Sequence, residues 1–66
     1  MITISKDGIV LRRIEKGFLL SISDKPDVAL ALASAAINPS RCKIIQIDGT
    51  RATLWSKVPD TCEITI

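Results

Sequence analysis

Histidine and tyrosine are absent from the 66 residues, and Trp55 and Phe18 are the only aromatics. Without histidine there is no imidazole base and no usual thiol activator, and without tyrosine there is no phenolic acid. Most hydrolase constellations fail on that ground, and the chain reads as a non-enzyme. Cysteine is scarce too. Cys42 and Cys62 are too few for the disulfide framework of a small secreted domain, and two thiols without histidine do not close a zinc site. They read as reduced, buried thiols of a cytosolic protein. The three glycines, Gly8, Gly17 and Gly49, are isolated, so no glycine-rich phosphate loop exists and no cofactor is expected.

What is present is apolar. Hydrophobic residues make up 47% of the chain and charged ones 24%, with a mean hydropathy of +0.32. This is too hydrophobic for disorder and too interrupted by charge for a membrane span. A chain of this length makes one domain, residues 1–66, burying about 60% of its accessible surface on folding. Nine Lys and Arg against seven Asp and Glu leave a net charge of +2, which is no nucleic-acid-sized basic field. The stretch Met1–Gly8 lacks the basic start and long apolar run of a secretory signal. The expected location is therefore the cytoplasm, or a host's cytoplasm for a virus-encoded chain, with no membrane partner.

Turn and cap signals divide the chain. Asp7-Gly8 and Asp48-Gly49 are the dipeptides that favour tight hairpins, because both residues tolerate positive φ. Strands are expected at Ile2–Ser5 and Ile9–Glu15, and a third after Gly17, with Phe18, Leu20 and Ile22 on one face. Asp24-Lys25-Pro26-Asp27 then signals a helix start, and Asn38-Pro39 its end. Further strands are expected at Arg41–Ile47, at Arg51–Val58 and from Thr61 to Ile66. The remaining acids, like Asp60, sit where turns want them. The layout is β-β-β-α-β-β-β, an α+β fold with about six short strands in an antiparallel sheet and one apolar helix across it.

Between Val28 and Ile37 only Ser34 is polar and nothing is charged. Leu30 and Leu32 lie about 200° apart on a helical wheel, more than one sheet easily covers. Leu30, Leu32 and Ala33 are thus candidates for self-association, and a homodimer through the helix is expected. Alanine padding of an ordinary surface helix is the competing explanation.

Binding is the function class that remains. If Arg51–Val58 is a strand, Ala52, Leu54 and Val58 continue the core alternation, and Arg51, Thr53, Trp55 and Lys57 share the opposite face. Trp and Arg dominate binding hot spots, so this stripe is the first candidate contact surface, with another protein as partner. Arg12 and Arg13 are further possible basic contacts. The expected function is that of a protein-binding module, such as a small inhibitor or regulator of a larger complex, virus-encoded ones included. The alternatives are a dimeric nucleic-acid-binding regulator and a structural subunit of a viral or multiprotein assembly.

The stretch from Gly49 to Ile64, about a quarter of the chain, resembles the late strands of the carbon storage regulator family of small dimeric RNA binders. The likeness lies in its Gly-to-Pro spacing and apolar alternation. In that family the helix follows the strands, whereas here it interrupts them. Ile66 also stands where that family closes its last strand with a basic residue. No RNA-binding residue carries over.

Overall fold

A computed structural model describes all residues, Met1–Ile66. The chain runs β1 (Ile2–Lys6), β2 (Ile9–Ile14), α1 (Lys16–Leu20), α2 (Val28–Ser34), a 3-10 turn (Pro39–Arg41), β3 (Gln46–Ile47), β4 (Thr50–Arg51) and β5 (Cys62–Thr65). The five strands form one sheet in the order β2-β1-β5-β3-β4. The α+β class is as expected, with five strands and two helices.

Both Asp-Gly pairs make the expected hairpins. Asp7 and Gly8 have φ of 53° and 79°, and Asp48 and Gly49 have φ of 51° and 80°. Two successive positive φ values define the turn whose twist matches that of the flanking strands. The sheet is mixed and not antiparallel, because β5 lies parallel to β1, with Ile2 opposite Cys62 and Ile4 opposite Ile64. These four side chains, with Ile14, Leu19, Val28, Ala31, Leu32, Ala35 and Val58, are the buried apolar core between the sheet and the helices.

The third strand expected after Gly17 is a helix. The outer side of β2 stays free, and residues 18–23 do not extend the sheet there. A short apolar run satisfies either period, and tertiary context decides. As α1 it buries Leu19 and leaves Phe18 and Leu20 exposed, with Ile22 exposed in the turn that follows. Lys16 anchors the start of this helix by donating from Nζ to Val58 O at 2.9 Å and pairing with the Asp60 carboxylate at 2.9 Å. That pair holds the Asp60 carboxyl below its usual range, through the hydrogen bond first and the ammonium charge second.

Helix α2 is shorter than expected at seven residues. Its N-cap is Asp27, whose carboxylate accepts from Leu30 N at 2.9 Å. At the other end, Ile37 N donates to Leu32 O at 2.9 Å and Ala36 N to Ala33 O at 3.0 Å. This is a Schellman closure with Ala36 as the left-handed residue at φ 60°. The helix therefore ends before Asn38-Pro39, which instead opens the 3-10 turn with Asn38 Oδ1 accepting from Ser40 N. An alanine in the left-handed region is strained by about 1 kcal/mol relative to glycine. Ala36→Gly should therefore raise the unfolding free energy measurably, by up to about 1 kcal/mol, read from chemical denaturation with the slope unchanged.

Of the three residues expected to self-associate, Leu32 is not available at the surface. Leu32 is fully buried in the core, Leu30 is half-buried against the same cluster, and only Ala33 is exposed. The chain covers both leucine directions itself. Residues 54–56 cross the start of α2, where Leu54 O accepts from Ala29 N at 2.9 Å and Ser56 O from Val28 N at 3.0 Å.

Candidate functional site

The segment from Ala52 to Val58 carries the exposed tryptophan, and its conformation is not the expected strand. Strand pairing covers Thr50–Arg51 and is prolonged by Ala52 N donating to Ile45 O at 2.8 Å. The chain then folds on itself. Thr53 N donates to Ser56 Oγ at 3.0 Å, Ser56 N to Thr53 O at 3.2 Å, and Trp55 N to Thr53 Oγ1 at 3.3 Å. Serine and threonine hydroxyls offer the backbone this alternative to a sheet ladder, and Thr53 and Ser56 stand at the spacing that uses it.

The turn is held from below as well. Leu54 O and Ser56 O, on either side of Trp55, take the first two amides of α2, and Val58 N donates to Pro26 O at 3.2 Å. With Asp27 bonded to Leu30, three amides at this helix start have protein partners. Leu54 is half-buried and Val58 buried, so the apolar positions on both sides of Trp55 tie the turn to the core. Trp55 itself is 73% exposed, the most exposed of the large hydrophobic side chains. A large ring on a braced turn loses little conformational freedom on binding.

Arg51, Thr53 and Lys57 are exposed too. The alternation of exposed and shielded residues read from sequence persists from Arg51 to Val58, although a turn and not a pleat produces it. Lys57 pairs with Asp27 in an isolated bridge, and its Nζ reaches Lys25 O at 3.4 Å. Neither Arg51 nor Lys57 is in an ion pair, so both charges face solvent.

Arg12 and Arg13 do not join this surface. They lie on β2, and Arg51 lies on β4, at opposite edges of the sheet. Four interstrand spacings separate them, roughly 19 Å. Arg12 pairs with Ile4 and Arg13 with Thr3, so the two arginines also point to different faces.

A cleft of about 450 Å³ opens at the far end of α2, where Leu11, Ile37, Ile44 and Ile66 form its apolar lining and Lys6, Arg41 and Lys43 outnumber Asp7. Sequence reasoning missed it, because it needs the β1-β2 hairpin to stand beside residues 37–44. Cys42 lines this cleft and is half-buried, with its Sγ 3.9 Å from Asn38 O. That corrects the expectation that both thiols are shielded. Cys62 is buried beneath the sheet, and desolvation, followed by the Asp48 charge, pushes its thiol pKa up. A thiol reagent at neutral pH should therefore label Cys42 in the native protein and Cys62 only on unfolding, seen as one fast and one slow equivalent by mass spectrometry. No three of the Cys, Asp and Glu side chains come together as a metal site would require. No helix is long and apolar enough to cross a membrane.

The stretch that resembles the carbon storage regulator strands does not form their strand-turn-strand unit. Its two strands, β4 and β5, do not pair with each other, since β3 lies between them. Comparison of the chain with family models, with characterised proteins and with solved structures returns no match.

Proposed function

We propose that the protein is a non-enzymatic binding module that engages another protein through the Trp55 turn. The observation that supports this reading is the combination of high exposure and firm bracing at Trp55. Exposed apolar residues are ordinary when scattered, but a tryptophan seldom stands this far into solvent without use. Unpaired Arg51 and Lys57 beside it would steer an acidic partner and sharpen selectivity, while the ring would supply most of the affinity.

A nucleic-acid partner is the weaker reading. It would use Trp55 as a stacking platform with Arg51 and Lys57 as phosphate contacts. The arginines that would extend the phosphate track, Arg12 and Arg13, lie at the other sheet edge. The two readings separate on heparin and in capture experiments. The protein-binding reading expects elution from heparin at low salt, and a partner retained from the native host by the unmodified chain but not by Trp55→Ala. Tight heparin retention with a steep salt dependence, removed by Arg51→Ala and Lys57→Ala, would favour nucleic acid instead.

A further inference from the structure

We infer that the outer edge of β2 is a second docking surface, which accepts an extended acidic peptide by strand addition. The two sheet edges are unequal. The β4 edge is two residues long, whereas β2 runs six residues and nothing pairs with its outer side. Its residues Ile9 to Arg13 are all exposed. A long edge with unpaired amides and carbonyls is a template for another strand, and natural proteins shorten, cover, bulge or charge such edges; the charge on β2 is positive, which repels a like strand and admits an acidic one.

The side facing the helices is shaped for alternate side chains. Register shifts between Ile4 and Ser5, which pair with Arg12 and Val10, so Leu11 is the extra residue of a bulge. Bulges re-aim side chains, and Leu11 lines the 450 Å³ cleft with its apolar floor. Farther along β2, a shallow depression is lined by Arg12, Arg13, Ile14, Glu15, Phe18 and Ser34, two cations against one carboxylate. A strand laid along this edge would thus meet the apolar recess beside Leu11, Arg12 on the helix side and Arg13 on the other.

Charge selects the occupant. The only charged residues on β2 are Arg12 and Arg13, neither in an ion pair, and Lys6, Arg41 and Lys43 outnumber Asp7 in the adjoining cleft. A second copy would bring the arginine pairs of two β2 strands together in a symmetric antiparallel pairing, which is repulsive. A partner strand that alternates apolar and acidic residues sets its apolar face against the recess beside Leu11 and its acidic face on the side of Arg13. This edge lies across the sheet from β4 and Arg51, and none of its lining residues belongs to the Trp55 turn, so the inference does not depend on the reading given above.

The test uses the whole chain and a capped octapeptide of alternating glutamate and valine. Binding followed by fluorescence anisotropy should be saturable, and the lysine-valine peptide should bind weaker by about tenfold or more. Amide exchange from Val10 to Arg13 should slow in the complex. The double variant Arg12→Glu, Arg13→Glu, altered only at exposed positions, should reverse the peptide preference. Trp55→Ala should bind the peptide as the unmodified protein does. Absence of binding, equal binding of the two peptides, protection at Thr50–Arg51 instead of β2, or a dimer paired through β2 would each overturn the proposal. Loss of peptide binding in Trp55→Ala would also overturn it, by moving the site to the turn.

Discussion

Leu32→Ala should leave the protein largely unfolded at room temperature. Truncating a buried leucine costs about 2–5 kcal/mol through lost transfer energy and the cavity left behind. A single core in a domain this small rarely supplies more than about 3–5 kcal/mol in total. Leu32 has no exposed surface, and its carbonyl also receives the Ile37 amide that closes the helix, so the segment beyond α2 depends on its position. Leu30→Ala should cost clearly less, since that side chain is half-buried. Ala33→Arg should leave stability within about 0.5 kcal/mol, as exposed substitutions usually do. Urea unfolding followed by circular dichroism ranks the three. A folded Leu32→Ala protein of near-normal stability would mean that this leucine faces a partner, as its place in an uncharged helix first suggests.

The helical wheel shows that Leu30 and Leu32 point in different directions, which is correct, but it does not show how many layers surround the helix. Here the sheet takes one side and residues 52–58 return across the start of the helix, an arrangement set by contacts distant in sequence. The elements fixed by local chemistry were legible. Asp7-Gly8 and Asp48-Gly49 define their hairpins, and Cys62 and Ile64 alternate into the core, while the helix signal at residues 24–27 was right in kind but the cap is Asp27, after Pro26 and not before it. The elements that depend on strand order were not. Residues 18–23 carry a strand period but fold as a helix over the core and leave the edge of β2 bare, and the parallel pairing of β1 with β5 has no local signature.

The candidate site divides in the same way. Exposure of Arg51, Thr53, Trp55 and Lys57 followed from alternation with Leu54 and Val58, and that alternation holds in the structure. The hydroxyl-closed turn was written in Thr53-Leu54-Trp55-Ser56, a spacing that reads as strand only when side-chain competition for backbone groups is ignored. The cleft beside Leu11 and the bare edge of β2 could not be read at all, because both are defined by what lies next to the hairpin and what does not.

Trp55→Ala should change stability little and binding greatly. At 73% exposure the ring contributes little buried area, so unfolding should shift within about 0.5 kcal/mol, against about 3–5 kcal/mol for a core tryptophan. The turn should survive the substitution, because its bonds are made by the backbone of residues 53–56 and the hydroxyls of Thr53 and Ser56, none of which belongs to the indole. Binding to the protein partner should weaken by about 2 kcal/mol or more, near thirtyfold in Kd, as for a hot-spot residue. Arg51→Ala and Lys57→Ala should instead slow association and flatten its salt dependence, since rim charges act mainly on encounter. Two measurements separate these roles. Emission from the single tryptophan should be red and fully accessible to a quencher in the free protein, then shift blue and become protected in the complex. A blue, protected ring in the free protein, or a Trp55→Ala variant that binds as tightly as the unmodified chain, would remove Trp55 from the working surface.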